Sequence, residues 1–200
     1  MSGPARARAR AWYREGCLDW DWHECIYEDF DTVCGLLGVS LRTSHVPLMG
    51  GGTRETLRVF FRGFHHQGDG ASFEGVYRYA HGASAAIRAH APRDAELHAI
   101  ADALADIQRP NFYQIVGDIR QSGHYCHEYT MAIDVEHDSH SWQDMTDGAA
   151  DAVIEALRDL ARWLYRQLER EYRYLTSDEA VDENIEANEF TFTAEGRRFG

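Results

Sequence analysis

Two hundred residues, 44% hydrophobic and 12% aromatic, suit one domain with a sizeable core, or at most two small ones, and are too apolar for a disordered chain. The formal net charge of −13 disfavours duplex nucleic acid, whose phosphates call for a basic footprint, and favours a basic protein partner or simple solubility. Every basic side chain is arginine, so Schiff-base chemistry and a P-loop lysine are excluded.

No apolar run reaches the roughly 18 residues of a membrane span, and the stretch from Met1 to Arg10 has no signal-like apolar segment, so cytosolic residence is expected. Arg6, Arg8 and Arg10 read as a solvated helix start rather than a basic arm. The cysteines, Cys17, Cys25, Cys34 and Cys126, form no C-x-x-C pair and read as reduced, mostly packing thiols.

In chain order, residues 5–15 are predicted helical and stopped by Gly16. Asp19 or Asp21 caps a second helix whose apolar face is Trp22, Cys25, Ile26, Phe30, Val33 and Leu37, ended by Gly38. Val39-Ser40-Leu41 suits a short strand, and residues 43–55, with Pro47 and Gly50-Gly51-Gly52, read as a long loop. A β-rich run from Leu57 to Phe64 then breaks at Gln67-Gly68-Asp69-Gly70 and resumes from Phe73 to Tyr79. Two such runs around a Gly-Asp-Gly turn predict an antiparallel hairpin, 57–64 against 73–80.

Gly82 to Ala91 suits a short helix, and a further helix with the stripe Leu97, Ile100, Ala101, Leu104 and Ile107 closes at Pro110. Residues 112–120 and 124–135 are predicted strands joined by Gln121-Ser122-Gly123. A long helix over about 147–174 carries the stripe Val153, Leu157, Leu160, Leu164 and Leu168. Its Arg158, Arg162, Arg166 and Arg170 row reads as a solvated face pairing with local acids, so Arg162→Ala is expected to cost little. Thr176-Ser177-Asp178-Glu179 has the capping-box pattern, and Phe190-Thr191-Phe192-Thr193 suits an edge strand. Together these predict one α+β domain over 1–200: an antiparallel sheet built from two hairpins, helices on one face, and a long C-terminal helix.

Leu48-Met49-Gly50-Gly51-Gly52-Thr53-Arg54 and the segment Phe61-Arg62-Gly63-Phe64-His65-His66-Gln67-Gly68-Asp69-Gly70-Ala71-Ser72-Phe73-Glu74-Gly75 resemble a widespread, poorly characterised family of bacteriophage and prophage proteins. That family typically carries Ser-Gly-Phe-Trp-Ser-Gln-Gly-Asp-Gly-Ala-Cys/Ser-Phe-Glu-Gly. The likeness extends to Trp12–Gly16, Gly123–Tyr129, Trp163–Glu169 and Tyr172–Asp178. It departs at Arg62, His65 and His66, where Ser, Trp and Ser are usual. Some members are labelled antitoxins of toxin–antitoxin systems. The resemblance implies a phage accessory protein acting on host physiology, with counter-defence a natural role, and implies no catalytic set.

Side-chain chemistry narrows the options further. His65, His66, Asp69, His124, His127 and Glu128 are metal-ligand types, but His124-x-x-His127 falls on a predicted strand, where residues three apart face opposite ways. No metal or other cofactor is therefore assigned. Gly68-Asp69-Gly70 leads into a strand rather than a helix, so it is not a dinucleotide fingerprint, and Gly70-Ala71-Ser72-Phe73-Glu74 lacks the last glycine of G-x-S-x-G. The residues favour binding over catalysis. The candidate ligand-binding set is Arg58, Phe61, His65, Gln67, Asp69, Ser72, Phe73, Tyr77, Tyr113, His124, Tyr125 and His127, beside the Gln-Gly-Asp-Gly turn. Gln67 and Asp69 would read base or ribose edges, aromatics would stack and arginine would meet phosphate. The expected partner is a small nucleotide-like immune signal that is sequestered. The alternatives are a basic host toxin or defence enzyme covered by an acidic surface, and a metal-dependent hydrolase of such a signal. A homo-oligomer is compatible with all three.

Overall fold

A computed structural model describes residues 2–16, 21–139 and 144–199; the alternative cap Asp19 and the packing thiol Cys17 lie outside them. The architecture is α+β, with helices and antiparallel strand pairs. The chain divides into two compact units, one from residues 1–25 and 167–200, the other from residues 26–166.

In the first unit, helix α1 (Gly3–Gly16) buries Ala5 and Ala9. Its arginines are not a free arm. Arg10 reaches the carboxylates of Asp178 and Asp182, and Arg14 donates to the Thr176 carbonyl and the Asp178 carboxylate. The expected capping box does not form: Ser177, one residue on, is the N-cap, accepting from Ala180 N at 3.2 Å, while the Thr176 hydroxyl turns back to the Tyr172 carbonyl. In place of the expected edge strand 190–193 there is one isolated bridge, Phe192 to Arg198. The alternating phenylalanines instead pack on Trp12, with ring centroids 5.4 and 5.5 Å away.

In the second unit, helix α2 (Glu24–Leu37) turns Phe30, Val33, Cys34 and Leu37 inward. Gly38 ends it at φ 87°, where a Cβ would lie 1.9 Å from the Arg78 carbonyl oxygen, so only glycine fits. The strands are β1 (Val39–Leu41), β2 (Thr43–Pro47), β3 (Thr53–Leu57), β4 (Val59–Arg62), β5 (Gly70–Phe73), β6 (Gly75–Arg78), β7 (Ile115–Gln121) and β8 (Met131–His137). They form a four-stranded sheet in the order β1-β6-β7-β8 and two ribbons, β2-β3 and β4-β5, all antiparallel.

One sheet face is apolar. Tyr77, Ile115 and Ile119 are buried there, and Gly117, opposite Tyr77, faces Leu157. The other face is polar, with Asp118 joined to Arg42 and Arg120. Helices α3 (Ala83–His90), α4 (Ala95–Gln108) and the start of α5 (Ala149–Leu175) supply the rest of the core. Asp94 caps α4 by accepting from Leu97 N, and its other oxygen accepts from the Trp163 indole, tying the cap to α5. Trp163 stacks on Phe30, which meets Phe73 edge-on.

Three local expectations are corrected. Residues 43–55 form the ribbon β2-β3 rather than a loop, closed by Leu48–Gly52; its strands are almost wholly exposed, so they lack the apolar alternation that would reveal them. The central hairpin pairs 59–62 with 70–73, and residues 75–78 pair with β1 and β7 instead. The second hairpin pairs 115–121 with 131–137. Phe112 and Tyr113 take left-handed backbone as the chain leaves a 3-10 turn, and Tyr113 N donates to the Gln108 carbonyl, so they cannot extend β7.

Candidate functional site

The run expected as one strand from Phe73 to Tyr79 splits at Glu74 because three ribbons meet there. Arg42 N donates to the Glu74 carbonyl, Glu74 N to the Arg58 carbonyl, and Arg58 N to the Arg42 carbonyl, at 2.9, 2.9 and 2.8 Å. These single residues separate β1 from β2, β3 from β4 and β5 from β6. Their side chains lock the junction. Arg58 holds both Glu74 oxygens, Gln121 N donates to Glu74 Oε1 at 3.2 Å, and Arg42 reaches Asp118 and the Ile119 carbonyl. Arg58 depresses the Glu74 carboxyl below the usual carboxylate range. Gly75 follows because a Cβ there would lie 2.7 Å from the Ser40 carbonyl oxygen.

Between β4 and β5 the loop 63–69 closes on Asp69. One carboxylate oxygen accepts from His65 N at 2.8 Å and His66 N at 2.7 Å, and the His66 bond leads in lowering the Asp69 pKa. Gly63 abuts that carboxylate. Gly68, at φ 91°, lies under the Tyr125 ring, and Gly70 is pressed against the Cys126 carbonyl and His127. The loop 63–69 therefore rests on the segment 122–130. That segment is a loop ending in a 3-10 turn, so strand alternation does not set how His124 and His127 point. His127 Nδ1 accepts from Tyr129 N and caps this turn.

The candidate residues fall into four places. His65, Gln67, Asp69, His124, Tyr125 and His127 come together on the paired loops, with Phe61 at their base; Phe61 packs on Phe64 and Tyr165, and the Tyr165 hydroxyl donates to the Gly63 carbonyl. Ser72, Phe73 and Tyr77 lie in the core at 0% exposure. The Tyr77 hydroxyl accepts from Gln108 and is pushed up to about 12 by burial. Arg58 belongs to the junction, and Tyr113 is stacked on Tyr79 away from the loops, centroids 4.7 Å apart.

Most of the segment from Gly63 to Gly75 thus has a packing reason. Gln67 differs: it is exposed, and the loop is closed by its neighbours. Sequence reasoning missed Tyr129, which stands 62% exposed beside these loops with Arg158 and Arg162 over its ring at 5.1 and 5.6 Å. Among the described residues no group of three His, Cys, Asp or Glu side chains is placed to hold a metal ion.

Residues 22–178 match the model of a family described as a domain of unknown function, DUF8835. No curated protein and no solved structure is significantly similar to the chain.

Proposed function

The chain belongs to the DUF8835 family, and we propose that it is a non-enzymatic binding protein that sequesters a small nucleotide-like ligand on the paired loops 63–69 and 122–130. The observation that carries this reading is Gln67. It is exposed on a loop tied down by Asp69 and by glycine contacts, and the next residue, Gly68, lies under the Tyr125 ring. A hydrogen-bonded loop that carries an exposed amide residue one position from an aromatic contact suits hydrogen bonding to a base edge with stacking alongside. Arg62, exposed at the start of the loop, supplies positive charge for a phosphate. Ser72, Phe73 and Tyr77 support the site from the core, and Arg58 and Tyr113 stand apart from it.

With the likeness to phage and prophage proteins, this binding fits a counter-defence role in the host cytoplasm, with the ligand an immune signal. The purified protein is denatured after exposure to cell extract, and the released small molecules are read by mass spectrometry. Intact ligand of nucleotide type, lost in Gln67→Ala at unchanged melting temperature, is the expected result. Cleaved ligand would establish a hydrolase instead. A pulled-down protein that persists without nucleotide would establish the toxin- or enzyme-covering role through the acidic surface.

A further inference from the structure

The first unit holds a cleft of about 550 Å³ lined by Trp12, Tyr13, Glu15, Gly16, Asn188, Phe190 and Arg198. That volume suits a small organic molecule, for which sites run roughly 300–1,000 Å³. The walls are aromatic: Trp12 meets Phe190 edge-on, and Tyr13 lies 6.2 Å from Phe190 at a tilt. The cleft holds one cation, Arg198, and one carboxylate, Glu15. The Arg198 guanidinium is held over Trp12 and Phe190, 4.7 and 4.6 Å from the ring centroids. Like Arg6, Arg8 and Arg197 in the same unit, and unlike Arg10 and Arg14, it has no carboxylate partner among the described residues; its stacking on two rings sets it apart.

Stacking fixes the guanidinium plane without using its in-plane N–H donors. A fixed guanidinium with its in-plane donors free favours an anion at that point, locally offsetting the repulsion expected from a molecule of net charge −13. Aromatic walls beside it favour a flat ring attached to that anion. Glu15, also in the lining, offers a carboxylate that accepts from a ring N–H or exocyclic amine and disfavours a second negative charge. We propose that this cleft is a binding site for a planar aromatic compound carrying one oxyanion, its ring against Trp12 and Tyr13 and its oxyanion on Arg198. The site is separate from the loops around Gln67 and does not depend on them.

Two probes distinguish the sources of such an anion: cyclic adenosine monophosphate, a phosphodiester with a single negative charge, for a phosphate, and indole-3-acetate for a carboxylate. Each is titrated into the full-length protein by calorimetry or ligand-observed NMR, beside adenosine, indole and inorganic phosphate. The expected result is that at least one anionic probe binds, about tenfold or more tighter than its uncharged ring and than phosphate alone. Arg198→Gln weakens that binding about tenfold, and Gln67→Ala leaves it unchanged. Arg198 is exposed, so Arg198→Gln keeps the parent melting temperature. Binding of neither probe overturns the proposal. So does a neutral ring that binds as well as its anionic counterpart, or binding that Arg198→Gln leaves untouched.

Discussion

At the residue scale, the segment from Gly63 to Gly75 separates scaffold from surface. Asp69 accepts two backbone N–H groups, and an Asn at that position retains an oxygen that accepts both. Asp69→Asn should therefore keep the loop and melt within a few degrees of the parent, as small surface changes do. If ligand binding needs the Asp69 charge, that variant loses it with the fold intact, and equal binding by both proteins would confine Asp69 to the loop. Tyr77 makes the opposite case. Its hydroxyl is buried against Gln108, and Gln108 keeps its bonds to both Ile115 backbone groups when that hydroxyl is removed. Tyr77→Phe should cost only about 1 kcal/mol in denaturant unfolding and leave ligand binding untouched; lost binding at native stability would put Tyr77 in the site.

At the element scale, α5 shows why one face was legible and the other was not. The leucine stripe follows the 3.6-residue period, and Leu157 and Leu164 are fully buried. Leu157→Ala and Leu164→Ala should each cost about 2–5 kcal/mol by chemical denaturation. The arginine row is not a merely solvated face. Arg162 donates to Glu155, Asp159 and Glu128 and to the Tyr129 hydroxyl, and Arg166 pairs with Glu96 of α4. Burial opposes the Arg162 charge, and the acids around it outweigh that and raise its pKa. The expectation that Arg162→Ala costs little is revised to about 1–3 kcal/mol, because Glu128 and the Tyr129 segment lose their tie to α5. A loss below a few tenths of a kcal/mol would restore the solvated face. Helix periodicity reveals which residues share a stripe, but the partners of Arg162 at 128 and of Arg166 at 96 are set by packing.

At the whole-molecule scale, several carboxylates titrate below their ordinary values because arginines hold them: Glu74 by Arg58, Asp182 by Arg10 and Glu155 by Arg162. A depressed folded pKa gives stability that is complete above the unfolded value, about 4, and is lost as pH falls through the folded one. The melting temperature should therefore be insensitive to these groups from pH 7 to about 5 and fall steeply below about 4. Glu74→Gln should lower stability at pH 7 and flatten the acid limb; an unchanged limb would show that the junction does not contribute to it.

What the sequence by itself determined is local. Helix stripes, the glycine stop at Gly38, and the β-rich runs around the Gly-Asp-Gly turn follow from side-chain period and backbone sterics, and they suffice for an α+β class. Tertiary structure alone decided strand register and partners. Glu74 divides a continuous β-rich run because its backbone meets Arg42 and Arg58, residues 32 and 16 positions away, and no local signal encodes such a meeting. The same holds for the candidate residues. Phe73, Tyr77 and Tyr125 are all aromatic, but long-range packing buries the first two at 0% exposure and leaves Tyr125 53% exposed above Gly68.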